Sequence, residues 1–440
     1  YIKEYTQKSA FDGLRDSPYY KGKMDLWYLF ACKCIDFLKN DGILTFIAQN
    51  NWTTSYGASV LRHKVIKETQ VLKLIDFGDY KVFENAGIQT MIMIFRKSFT
   101  YNEYSFDYRR ITNKSPSSAD LNNILNHVDT PNIIYIQPSI QRNKYMNSVL
   151  TFSTDSYSEV LDKINNSSNF RLDPQKEVAQ GIVYPQDKVN TASMRKLNNS
   201  VSVGDGIFVI NEDEISSMNL SEQENLLLKP VYTTNELHRW YGDKKATQWL
   251  IYTDSKFKDK KSMDLYPTIK KHLDKYAKVI TSDNAPYGLH RSRDEYFFKG
   301  EKIISLRKCL TPTFTYVDFD SYVSATFYVV KTTRVNMKYL TGVLNSKLIR
   351  FWLKYKGKMQ GNNYQIDKEP LIGLPLIVPT QDVQNNIANM VNQILQQYAN
   401  EEVASTRDIK LKNIEAELNK AIYTLYKLSE ADISVIEGSL

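Results

Sequence analysis

Cysteine is nearly missing: 440 residues contain three, Cys32, Cys34 and Cys309. So sparse and odd a number excludes a disulfide-stapled scaffold and fits a reducing compartment. Histidine is scarce too, with five scattered copies and no CxxC or HxxxH spacing, so no metal site is expected. Long apolar runs are absent as well. Stretches such as MIMIF, residues 91–95, fall far short of the roughly 20 apolar residues that cross a bilayer, and no membrane partner is expected. The opening YIKEYTQKSAFDGL has neither the basic nor the apolar region of a secretory signal.

What remains has ordinary globular composition, with 42% hydrophobic and 24% charged residues, and enough length for two or three domains. Net charge is +8 and uneven: Ala285 to Gln365 holds 14 Lys and Arg against 5 Asp and Glu. That segment alone exceeds the surplus of the whole chain. Such density is the footprint of a polyanion partner, although composition alone is equally compatible with a solvated surface.

Apolar spacing predicts a helix within Lys23–Asn40, ended at NDG with Gly42 as a left-handed stop, and a strand through GILTFIAQ that breaks into Gln49, Asn50 and Asn51. A helix over Ser59–Thr69 and strands VLKLIDFGD and QTMIMIFRKS follow. This alternation reads as the flank of an α/β sheet over residues 1–98. Residues 99–134 read as a polar linker.

Residues 135–378 turn aromatic-rich and β-leaning, a mixed α+β domain. In it PTFTYVDF and SATFYVVK are expected to form an antiparallel pair around a turn at Asp318 to Ser321, and MKYLTGVLNSKLIRFWLKYK one helix. Residues 379–440 are expected to be a C-terminal helical segment, with S-x-x-D caps at Ser405/Asp408 and Ser429/Asp432.

The order of YIK, KMDLWYLF, LKNDGILTFIAQNNW and VFENAGIQTMIMIF, followed by IISLRKCLTPTFTYVDFDSYVSATFYVVK and NYQIDKEPLIGLPL, resembles the Taq-like adenine-N6 DNA methyltransferases. More narrowly it resembles the methylase and specificity portion of a type IIG restriction-modification enzyme. The resemblance covers nearly the whole chain and is thinnest over 99–228. It aligns Tyr1, Ile2 and Lys3 with the tail of the Asn-Pro-Pro-Tyr catalytic motif.

The resemblance implies a distal, Rossmann-like flank of the catalytic domain and a target-recognition domain, acting in a prokaryotic cytoplasm on double-stranded DNA. It also implies S-adenosylmethionine as cofactor, held mostly by a preceding portion of the same protein, so that this stretch alone is expected to be inactive. A type I-like specificity subunit is the rival reading. It is disfavoured because no internal repeat of a recognition domain is visible.

Methylating an adenine amine requires flipping the base out of the duplex and holding it by stacking. The resemblance gives that role to Tyr1 and Phe83. For DNA contact the candidates are Arg291, Arg293, Arg307 and Lys308, then Lys354, Lys356 and Lys358 in an expected backbone-tracking loop, with Asn362, Asn363 and Tyr364 placed to reach base edges. No E-x-K triplet occurs, and of the D-x-K triplets only Asp79 follows an expected strand, so a DNA-cleaving centre is not expected here.

Overall fold

The computed structural model describes residues 2–83, 86–145, 149–150, 152, 155–360, 363–400 and 404–440. The chain divides into two units. The first holds residues 1–167, 351–365 and 428–440, and the second holds 168–350 and 366–427.

Unit 1 is built on a five-stranded sheet. Its strands are β1 (Ile43–Gln49), β2 (Thr69–Asp76), β3 (Thr90–Lys97), β5 (Asp107–Ile111) and β6 (Ile133–Ile136), in the spatial order β1-β3-β2-β5-β6. β4 (Glu103–Ser105) and β7 (Ser139–Gln141) form a separate antiparallel ribbon. Only β2 and β5 run parallel; the other neighbours are antiparallel. The alternation along TMIMIF of β3 explains the layering. Met91, Met93 and Phe95 of β3 pack with α1 (Leu26–Phe37) and α2 (Ser59–Glu68), while Ile92 turns to the opposite face with Ile75, Ile111 and Ile124 of α3 (Ser118–Asn126). Helices on both faces of a sheet make this an α/β layer.

β1 is the outermost strand, and Ile43, Thr45 and Ile47 on it are exposed, as are Phe30 and Phe37 on α1. Among the described residues nothing pairs with its free side.

The expected linker 99–134 is structured. β5 extends the sheet although its sequence, DYRRI, looks polar, because Arg109 is neutralised where it stands. The Arg109 guanidinium bonds Asp107 and donates to the Ile124 carbonyl at 2.9 Å, which satisfies the last turn of α3. The left-handed position after α1 falls at Asp41 (φ 61°), not at Gly42.

Unit 2 contains two sheets. The first has the order β11 (Trp240–Tyr241), β15 (Phe314–Val317), β13 (Lys302–Leu306), β17 (Phe327–Val330) and β8 (Val178–Gln180). The second has the order β16 (Tyr322–Val323), β10 (Leu228–Tyr232), β12 (Gln248–Ile251) and β9 (Val209–Asn211). A short strand, β14 (Lys308–Cys309), follows β13.

The expected pairing of PTFTYVDF with SATFYVVK does not form. Both strands pair antiparallel with β13, which lies between them. The apolar KIISL segment is buried along nearly its whole length and takes the central place. The turn between the two strands instead delivers Tyr322 and Val323 to the second sheet.

The single helix expected at 337–356 is two, Met337–Leu344 and Lys347–Lys356, broken at Asn345. The Asn345 side chain bonds both the N–H and the C=O of Phe314, at 3.2 and 2.8 Å, and fixes the break.

Residues 381–399 and 404–425 are helical, and both helices belong to unit 2. They meet the Met337–Leu344 helix at Gly342, where a Cβ would lie 3.0 Å from Ile387 and 3.3 Å from Leu418. The final helix, Glu430–Gly438, starts with a capping box of Ser429 and Asp432. Ser405, expected as a cap, lies inside its helix. No described helix is long and apolar enough to cross a membrane.

Candidate functional site

Phe83 lies in the connection from β2 to β3 and is 41% exposed. An aromatic ring of that exposure, beside a sheet end rather than in the core, is available for stacking. Its expected partner Tyr1 lies outside the described residues.

The base of the connection that carries Phe83 is polar and closely tied. Asp76, the last residue of β2 and 4% exposed, accepts from Asn50 Nδ2 at 3.0 Å and from the Gly78 N–H at 3.0 Å. Tyr108 and Arg110 of β5 face its other oxygen, at 3.5 and 3.7 Å. Gly78 is required twice over: its φ is +56°, and a Cβ would sit 2.3 Å from the Ile111 carbonyl oxygen. Asn50 and Asp76 were not singled out as functional candidates from sequence. The available signal was the abrupt change from apolar strand to polar residues at QNN and at IDFG.

In unit 2, Arg291 is exposed, and its backbone pairs with Val183 at 3.0 and 3.1 Å. Arg293 takes a left-handed φ of +68°, sparsely populated for a side chain of its size, and donates to Gln180 Oε1 at 2.9 Å. Burial, with Arg291 adding like charge, pulls the Arg293 pKa below its usual value. The AQGIV segment lies close against Ser324 because Gly181 has no Cβ; one would stand 2.1 Å from the Ser324 carbonyl oxygen.

Arg307, expected to meet DNA, is held by Asp367 at 2.5 Å, which raises its pKa against the effect of burial. Lys308 on β14 is exposed.

Much of the positive charge in 285–365 is spent inside the protein. Lys302 is fully buried and donates to the carbonyls of Gly300 and Phe319 at 2.7 and 2.6 Å. Burial pulls its pKa from 10.5 to about 7. Arg334 is bound to Glu177, and Lys331 caps the Tyr296 and Lys299 carbonyls at 2.9 and 2.6 Å. A net count along the sequence therefore overstates the field offered to a polyanion.

The lysine set differs from expectation. Lys354 and Lys356 occupy the last turn of a helix, not a loop, because RFWLKYK buries Phe351, Trp352 and Leu353. The Lys354 ammonium donates to the Ser439 carbonyl, and Lys356 lies 5.9 Å from the centre of the Tyr145 ring. The Lys358 carbonyl accepts from Gln365 N at 2.8 Å.

β18 (Met359–Gln360) and β19 (Asn363–Gln365) form a hairpin. Asn363 is half-buried, whereas Tyr364 is 4% exposed and packed, which withdraws it from the residues able to reach a base edge. Asn362 lies outside the described residues.

Two families match this chain: the Eco57I restriction-modification methylase over residues 1–83 and the TaqI-like C-terminal specificity domain over residues 229–376. The Type II methyltransferase M.HindII of Haemophilus influenzae is 21% identical across 93% of this chain and 79% of its own. M.HincII from the same species is 23% identical across 93% and 78%. Among solved structures, the Type IIL restriction-modification enzyme MmeI, determined in complex with DNA, shares the fold with a TM-score of 0.63 at 13% identity. It covers 98% of this chain, which spans about half, 54%, of the MmeI chain. The chain therefore joins an Eco57I-type methylase segment to a TaqI-like specificity domain and is homologous to the Type II methyltransferases of restriction-modification systems.

Proposed function

We propose that this protein acts in site-specific adenine-N6 methylation of double-stranded DNA, with S-adenosylmethionine as methyl donor, as part of a type IIG-like restriction-modification system. Unit 1 supplies the stacking surface for the flipped adenine, and unit 2 reads the DNA sequence. The observation that carries this reading is the exposed Phe83 ring, raised on a loop whose base is fixed at the adjoining ends of β1, β2 and β3.

Stacking of a base on an aromatic ring contributes about 1 to 3 kcal/mol, enough to hold an extruded adenine against its return to the duplex. Adenine-N6 transfer of this kind needs acceptors on the amine, not a general base, so no carboxylate here is given a proton-transfer role. The connection from β1 to α2 does contain a glycine, Gly57, but a Cβ there would meet the Lys23 carbonyl oxygen at 2.2 Å. That glycine serves packing and offers no cofactor cradle, and no contact with S-adenosylmethionine is assigned to the described residues. The chain alone is accordingly proposed to be inactive.

In the recognition unit, Arg291 and Arg293 are the proposed base readers, with Arg307 oriented by Asp367. Lys308 of the same unit, and Lys354, Lys356 and Lys358 of unit 1, are assigned to phosphates, and Asn363, also of unit 1, to a base edge. The test is to incubate the full-length gene product with DNA and methyl-labelled S-adenosylmethionine, then digest to nucleosides. Label in N6-methyladenine is the expected result; label in cytosine, or none, would overturn the reading.

A further inference from the structure

Phe83 can serve a flipped base only if its loop holds the ring in one place, and the structure shows what ties the base of that loop. It leaves β2 at Phe77 and rejoins β3 at Thr90, and the Phe77 N–H donates to the Thr90 carbonyl at 3.1 Å. At this neck the outgoing and returning sides are tied to one residue from a third segment. The Asn50 side chain donates to Asp76 on the outgoing side, at 3.0 Å, and the Asn50 backbone N–H donates to the Gln89 carbonyl on the returning side, at 3.1 Å. Gln89 Nε2 reaches back to Asp79 at 2.5 Å and closes the ring of contacts. Asp76 itself is anchored to the next strand through Tyr108 and Arg110.

We infer that Asn50 and Asp76 form a crossbar that positions Phe83 for the target base, so that both are positioning residues for base capture and methyl transfer. The inference rests on the reading of Phe83 as the stacking ring. Three features support it. The carboxylate is nearly inaccessible, at 4% exposure, so its bonds are not exchanged with water. Asn50 contacts both sides of the loop, one by its side chain and one by its backbone, so a substitution at Asn50 removes only the side-chain contact. Gly78, two residues after Asp76, holds the outgoing side in a left-handed conformation against the Ile111 carbonyl that only glycine fits.

Loosening such a support displaces the ring without altering any surface that meets the duplex. A misplacement of about 1 Å costs on the order of 100-fold in rate. The test uses the full-length gene product and target duplexes carrying 2-aminopurine at the methylated position. Asn50→Ala should cut the fluorescence rise on binding by at least about half and lower kcat by about 10- to 100-fold. Duplex affinity should stay within about twofold, and the melting temperature should be nearly unchanged. Asp76→Asn keeps an oxygen acceptor for Asn50 and Gly78 and should lie between wild type and Asn50→Ala. The double variant should be no worse than the worse single, because the two act as one unit. Unchanged fluorescence and kcat in Asn50→Ala would overturn the crossbar alone. A wild-type protein that gives no fluorescence rise at all would overturn the base-stacking reading and the crossbar with it.

Discussion

Replacing Glu415 with alanine should unlock the long C-terminal helix from the recognition unit, at a cost that can be worked out bond by bond. Glu415 sits on the 404–425 helix and accepts from Arg239 Nη1 at 2.8 and 3.0 Å and from the Trp240 indole N–H at 2.9 Å. Trp240 is fully buried, with a positive φ of 85°, while the Arg239 and Glu415 side chains keep 33% and 25% of their exposure. Discounted for that exposure, the ion pair contributes about 1 kcal/mol or less. The orphaned indole N–H costs a further 1 to 3 kcal/mol, roughly. Glu415→Ala should therefore lose about 1 to 4 kcal/mol. Glu415→Gln retains an acceptor for the indole and should lose only about 1 kcal/mol. Urea unfolding followed by tryptophan fluorescence measures both. If the glutamine variant proves as unstable as the alanine one, the buried indole bond is not what the glutamate provides, and the reasoning fails.

Phe83→Ala in the full-length gene product should weaken capture of the flipped adenine by the equivalent of about 1 to 3 kcal/mol with duplex binding largely kept; an unchanged 2-aminopurine signal would assign the ring to packing. Arg291→Ala should cost about 1 to 3 kcal/mol on the target sequence and little elsewhere, whereas Lys308→Ala should weaken all DNA alike and flatten the salt dependence by a slope of about 0.9. Equal losses on target and non-target DNA for both variants would reduce this face to an electrostatic platform. Lys302 has a folded pKa of about 7 against 10.5 when unburied, so between those values the unfolded chain binds the extra proton and stability rises with pH. Compared with Lys302→Met, the wild type should gain up to about 2 kcal/mol between pH 7.5 and 9.5, read from urea midpoints; a constant difference across that range would refute the assignment.

The elements that local pattern alone determines were readable in advance. β1, β2, β3 and α2 fall close to where apolar spacing puts them, because each buries one face against its immediate neighbours. Elements that depend on distant partners were not readable. DYRRI is a strand only because Asp107 and the end of α3 neutralise Arg109. β15 and β17 are separated by β13, and no property of their own sequences discloses that. The same holds for the site: Arg307 looks free until Asp367, 60 residues on, is brought beside it. Phe83 was visible only through family resemblance, and the Asn50 and Asp76 contact at the base of its loop joins segments 26 residues apart.

The outermost position of β1 has a consequence for handling this protein. Seven residues of extended chain, with Ile43 and Ile47 exposed, end the sheet with a row of backbone donors and acceptors that no strand among the described residues covers. Such a row is a template for strand addition, and a second molecule can supply the strand as readily as any natural neighbour. Phe30 and Phe37 on α1 add exposed apolar surface of their own. The 440-residue chain should thus be least soluble where it is most regular, and its association should grow with concentration and with salt as charge repulsion is screened. A single gatekeeping charge at the edge, Ile47→Lys, should raise its solubility limit without disturbing the buried face of the sheet, since Ala48 and Gln49 rather than Ile47 supply the buried end of that strand.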